Sequence, residues 1–178
     1  MLHAGRVTEI NGLPAHILLV HLVVVGLPVA ALLTVLSAVW PAARRRLGII
    51  TPIVAGLALI SVPITTHAGE WLQARVFHGY SNPLIVRHAQ LGGELLPWAI
   101  GLFVMSVIAW LLPVLAARSA DGSPLNSAGV KVAVAVLAVA FAAICVVQVY
   151  RIGDAGSKAA WSNNFCSEPY VGDSCPTA

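Results

Sequence analysis

The chain has 178 residues, of which 58% are hydrophobic and only 10% are charged, and its mean hydropathy is +0.87. Soluble domains average roughly 45–50% apolar and 25% charged residues, so this composition excludes an ordinary water-soluble fold. The formal net charge of +3 comes from ten basic residues scattered over the loops. No basic tract is interleaved with aromatic residues, which argues against a nucleic-acid partner.

Four long apolar runs follow one another along the chain, and each can cross a bilayer as a helix of about 20 residues. We predict helices at about 15–40, 47–72, 86–117 and 130–151, in one membrane domain covering residues 1–161 with a tail at 162–178. Pro14 suits the first turn of the first helix, and Pro28 is expected to kink it. The predicted fold class is an all-α bundle of four transmembrane helices.

The positions of the basic residues predict the orientation in the membrane, because short cytoplasmic loops carry the excess of Lys and Arg. Residues 44–46 are three arginines in the first connector, and Arg118 and Lys131 flank the third. Among the three connectors, the only contrary charges are Arg75 and Arg87, which are spread through the longer second one. We therefore predict a multi-pass protein of the plasma membrane with a short extracytoplasmic N-terminus and an extracytoplasmic C-terminal tail.

Two cysteines, Cys166 and Cys175, lie in the tail that the charge pattern places outside. An oxidising compartment permits a disulfide there, and the alternative is a pair of free thiols. Cys145 lies within the fourth apolar run and is most simply a small packing residue.

Four histidines are expected near the outer end of the bundle: His16 and His21 on the first helix, His67 on the second, and His88 just before the third. Ionisable residues in a transmembrane span are costly and are candidates for function. His16 and His21 are five residues apart, or about 140° around a helix, so they cannot both face one central atom.

Imidazoles from two facing helices commonly hold the iron of a b-type haem. We favour His21 with His88 as the axial pair, with His67 or His16 as the substitute. Covalent haem is excluded because the sequence has no Cys-x-x-Cys-His motif. The guanidinium groups available on the outer side to pair with haem propionates belong to Arg75, Arg87 and Arg151.

Simpler interpretations stand beside this one. His16 also suits an interfacial residue at the start of the apolar run, and His67 could cap its helix or hydrogen-bond a neighbouring threonine. Glu70 and Glu94, beside Trp71 and Trp98, are typical of a membrane interface.

Several segments together resemble a known bacterial membrane family. They are residues 13–21 (LPAHILLVH), 40–48 (WPAARRRLG), 65–72 (TTHAGEWL), 87–92 (RHAQLG), 95–98 (LLPW) and 150–161 (YRIGDAGSKAAW). The pattern resembles the domain of unknown function 2231, in its actinobacterial form, over residues 12–161. The resemblance implies that His16, His21 and His88 belong to the family motif. Two positions differ from that motif. The family usually has another residue in place of His67, and it usually has Gly-His-x-Gly where this chain has GDAG at residues 153–156. The family has no assigned activity, so the resemblance implies no reaction.

Three functions remain in view. The first is an electron-transfer subunit that binds one haem b. The second is a non-catalytic accessory or scaffold subunit of a larger membrane complex, such as a respiratory complex. The third is a metal-binding or transport protein that uses His16, His21, His67 and Glu70. In none of them is the chain expected to be an enzyme on its own.

Overall fold

The computed structural model describes residues 8–76, 82–119 and 123–162. The predicted Cys166–Cys175 disulfide and nearly all of the predicted tail lie outside the described residues. The helices are α1 (Ala15–Val39), α2 (Pro41–Leu47), α3 (Ile50–Val76), α4 (Pro83–Gly93), α5 (Leu95–Arg118) and α6 (Ala128–Trp161), and a short 3₁₀ turn (Pro124–Asn126) precedes α6.

Two short strands, β1 (Glu9–Ile10) and β2 (Leu13–Pro14), form an antiparallel hairpin before α1. Asn11 and Gly12 occupy its turn with φ of 52° and 77°, the left-handed conformations that an Asn-Gly pair adopts readily. The hairpin returns the chain so that the carbonyl of Thr8 accepts a hydrogen bond from the amide of Ala15 at 2.9 Å. This bond satisfies an otherwise unpaired N–H at the start of α1.

In the described part of the chain, four helical segments are long and apolar enough to cross a membrane: α1, α3, α4 together with α5, and α6. The predicted all-α fold of four membrane-crossing spans is thus confirmed. α1 packs most extensively against α3 and α6, and α5 packs against the same two helices from the other side. The four spans therefore form a closed bundle around one core.

Small side chains dominate the centre of the bundle. Ala30, Ala55, Ala99 and Ala142 are all buried there, beside larger residues such as Leu27. Small residues let helix backbones approach closely, which is the main source of helix association where lipid offers no hydrophobic contrast. A buried hydrogen bond of 2.9 Å between the hydroxyls of Ser37 and Thr51 adds a polar link between α1 and α3.

The third span begins earlier than residue 86 and is interrupted once. Asn82 caps α4, its side-chain oxygen accepting a hydrogen bond from the amide of Leu84 at 2.9 Å, and Pro83 follows in the first turn. The helix then breaks between Gly93 and Leu95, because Pro97 has no N–H to donate to the carbonyl of Gly93. Part of the predicted second connector is therefore helical.

The fourth span continues past the predicted end at residue 151 and finishes at Trp161. Its 34 residues rise by about 51 Å, well beyond the roughly 30 Å of a hydrocarbon core. The extension has a partner, since α4 packs along α6 and Ala155 is buried. An exposed ion pair of 2.8 Å between Lys158 and Asp154 lies on its outer side.

The bundle thus has two distinct ends. We call the end with α4 and the start of α1 the histidine end, and the opposite end, which carries α2 and its three arginines, the arginine end.

Candidate histidine site

His16, the second residue of α1, is half-buried at the histidine end. Its Nδ1 lies 2.9 Å from the carbonyl oxygen of Thr65 in α3. A carbonyl can only accept, so Nδ1 carries the hydrogen, and in the neutral ring Nε2 keeps its lone pair. The hydrogen bond joins α1 to α3 and orients the imidazole.

Gly69 makes room for this ring. It lies four residues after Thr65 in α3, and a Cβ added to it would lie 2.9 Å from both Cε1 and Nδ1 of His16. Any other residue would force the imidazole to move. We call the pairing of a helical carbonyl with the glycine four residues later an imidazole seat, here formed by Thr65 and Gly69.

His88 occupies a second seat of the same construction. Its Nδ1 lies 3.0 Å from the carbonyl oxygen of Ile152 in α6, and Gly156 is four residues after Ile152. A Cβ on Gly156 would lie 3.0 Å from Cε1 and Nδ1 of His88. The second seat therefore joins α4 to α6 and leaves Nε2 of His88 with a lone pair, as at His16.

The two seated rings lie beside each other. Their centroids are 6.1 Å apart and their planes are inclined at 84°. Four helices thus converge on one pair of imidazoles, with α1 and α3 supplying one side and α4 and α6 the other. Each ring is held by a hydrogen bond to main chain, the most rigid acceptor available.

The other two histidines predicted for the site, His21 and His67, lie away from this pair. His21 is exposed on the bundle surface, and its Nδ1 donates to the carbonyl of Ile17 in its own helix at 2.8 Å. The ring beside His88 is therefore that of His16 rather than the favoured His21. Because the two α1 histidines are five positions apart, only one of them faces the bundle interior.

His67 is exposed and lines a groove of about 190 Å³ between α3 and the α4–α5 junction. Thr66 and Glu70 share the groove with Gly92 and Gly93. Gly92 is one helical turn beyond His88, so the groove lies next to the histidine pair. Among the residues that the structure describes, no three His, Cys, Asp or Glu side chains are grouped to hold a metal ion.

The three predicted propionate partners are all exposed. Arg87 and Arg151 directly precede His88 and Ile152, respectively, and so flank the second seat. Nη1 of Arg151 donates to Oε1 of Gln148 at 3.2 Å. Arg75 lies further along α3, where its guanidinium stacks 3.7 Å above the ring of Trp71.

Sequence reasoning missed the glycines. A signal was present, since Gly69 and Gly156 both fall within the family-like segments 65–72 and 150–161. A glycine inside a helix needs a reason, because it destabilises the helix by about 0.5–1 kcal/mol relative to alanine. Here the reason is the close approach of an imidazole from a neighbouring helix.

Fold and site together define a multi-pass membrane protein, an all-α bundle with paired histidines at one end. The chain matches no protein-family profile, no curated protein and no solved structure.

Proposed function

We propose that the protein is a membrane electron carrier that holds one b-type haem through His16 and His88. The observation that carries this proposal is the matched pair of imidazole seats. Two rings from different helices lie 6.1 Å apart, each with Nδ1–H bound to a helical carbonyl. The proposal keeps His88 and replaces His21 by His16.

The chemistry of the two imidazoles fits axial ligation. Histidines that bind metals nearly always donate the second ring N–H to a carboxylate, a carbonyl or water, which orients the ring and raises its basicity. Both rings have this bond, and the proton on Nδ1 leaves Nε2 as the free donor atom. A b-type haem would take its two protein ligands from these imidazoles.

The two rings are also neighbours, with centroids 6.1 Å apart, so one bound group would contact both of them. When bound, the haem would supply one-electron exchange, while the chain would hold its ligands and exclude lipid. Arg87 and Arg151 are the cations best placed for its propionates, because they flank the second seat.

The test is a spectrum of the whole protein. Expressed with ample haem precursor and purified in mild detergent, the wild type should show a Soret band and the spectrum of a low-spin, six-coordinate haem. His16→Ala and His88→Ala should each lose it, and free imidazole should restore it in part. His21→Ala is the matched control, since its ring is exposed on the same helix, and it should keep the wild-type spectrum. A colourless wild type would refute the proposal.

A second function is favoured by one feature of the same site. The hydrogen bonds of the two rings join α1 to α3 and α4 to α6, so in an accessory subunit of a larger membrane complex they would serve only to hold the helices together. In that case the wild type is colourless, and His16→Ala lowers the free energy of unfolding without any change in the visible spectrum.

We also propose that the chain belongs to the family of the domain of unknown function 2231. Support comes from where the family-like segments meet in the fold. Residues 13–21, 65–72, 87–92 and 150–161 supply both histidines and both seats. A family pattern is expected to converge on a shared site in this way.

The proposed orientation places both termini outside the cytoplasm and the arginine end inside. Its support is the distribution of charge, with residues 44–46 and Lys131 at the arginine end. Alkaline phosphatase fused after residue 178 should be active, and the same reporter fused after residue 46 should be inactive. The reverse pattern would refute this orientation.

A further inference from the structure

A second cavity lies at the arginine end of the bundle, away from the histidines. It has a volume of about 370 Å³ and lies between the end of α1 with α2, the C-terminal part of α5, and the start of α6. Its polar lining includes Arg44, Lys131 and Ser119, and its apolar lining includes Leu112, Pro113 and Val134.

The two cations come from different elements. Arg44 is half-buried in α2, and Lys131 is exposed in the first turn of α6. Within the described ranges, the only ion pair is that of Lys158 with Asp154, so neither cavity cation is neutralised by a described carboxylate. Two positive charges that line one cavity attract an anion.

The apolar lining indicates what kind of anion. Leu112 and Pro113 of α5 and Val134 of α6 border the polar part of the cavity. Beyond them, the neighbouring residues Val114, Leu115, Val132 and Val136 are exposed on helices that can cross a membrane. A ligand held here would therefore have a charged head and an apolar continuation along the lipid-facing surface.

We infer that this cavity binds the headgroup of an anionic phospholipid, with the phosphodiester between Arg44 and Lys131 and an acyl chain along α5 and α6. Basic pockets between transmembrane helices on the cytoplasmic side are suited to such headgroups, and anionic lipids populate that leaflet. A free phosphate would use the two cations and leave the apolar part of the cavity unused. The inference rests on the proposed orientation, with the arginine end inside, and does not depend on haem at the histidine end.

The experiment measures lipid binding to the full chain. Protein purified and delipidated in a neutral detergent is titrated with dioleoyl phosphatidylglycerol or dioleoyl phosphatidylcholine, and bound lipid is counted by native mass spectrometry. The wild type should bind phosphatidylglycerol in preference to phosphatidylcholine. Arg44→Gln and Lys131→Gln should each weaken phosphatidylglycerol binding by about fivefold, the effect of one cation near an anionic headgroup.

Arg45→Gln is the matched control, because it removes the same charge from the neighbouring, exposed residue of α2, which does not line the cavity. It should bind as the wild type does. Arg44→Lys keeps the charge and should bind within about twofold of the wild type, which separates loss of charge from misfolding. Circular dichroism checks the helix content of every variant.

Three results would overturn the inference. The first is equal binding of the two lipids, and the second is an equal loss in Arg45→Gln and Arg44→Gln, which would mean a diffuse surface charge. The third is competition by millimolar glycerol 3-phosphate, which would assign the cavity to a soluble anion.

Discussion

Replacing Gly156 by alanine tests whether the ring of His88 packs directly against residue 156 in the second imidazole seat. The new Cβ would lie 3.0 Å from two atoms of the His88 ring, whereas carbon contacts are favourable at about 3.5–4.0 Å. The ring must therefore retreat by about 0.5 Å. That movement stretches its 3.0 Å hydrogen bond to Ile152 to about 3.5 Å, beyond the usual range.

Losing that bond costs about 0.5–1.5 kcal/mol, while alanine in place of glycine in a helix gains about 0.5–1 kcal/mol. The two effects nearly cancel, so Gly156→Ala should leave the free energy of unfolding close to that of the wild type. Gly153→Ala, on the same helix, introduces a Cβ with nothing within 4 Å. It should therefore show the helix gain alone.

The measurement is reversible unfolding in mixed micelles by titration with dodecyl sulfate, followed by circular dichroism. Gly153→Ala should exceed Gly156→Ala in stability by about 1 kcal/mol. If both variants are stabilised equally, His88 does not press against Gly156, and the account of the seat is refuted.

Two further substitutions, each compared with a second variant, test the packing of the spans in the same unfolding assay. Ser37→Ala removes a buried hydrogen bond between α1 and α3 and should lower the free energy of unfolding by about 0.6–1 kcal/mol. Thr51→Ser keeps the hydroxyl and should lower it less. If the two variants are destabilised equally, the hydrogen bond is unimportant. Gly101→Ala directs a Cβ into the ring of Phe141 and should destabilise by about 1–3 kcal/mol. The cost should fall in the double variant with Phe141→Leu, and strictly additive effects would contradict this contact.

The apolar length of each run and the placement of charges outside it were enough to predict the spans, because every residue of a run must be compatible with the hydrocarbon core of the bilayer. The same reasoning missed where the last helix ends. Arg151 marks the end of the apolar run, but α6 continues to Trp161. The continuation depends on α4, which packs along that extension and buries Ala155. A partner that comes from another part of the chain leaves no periodic signal in the segment itself.

For the site, the sequence was enough to predict which imidazoles lie near one end of the bundle and that His16 and His21 face different directions. The packing of the bundle shows which of the two faces inward, because that depends on how α1 is rotated against α3. The packing also revealed the two imidazole seats, because a main-chain carbonyl and a glycine carry no functional side chain that would mark them in the sequence. The physical reason is that apolar length is a local property, whereas the meeting of His16 with Thr65 and of His88 with Ile152 depends on helix packing over separations of 49 and 64 residues.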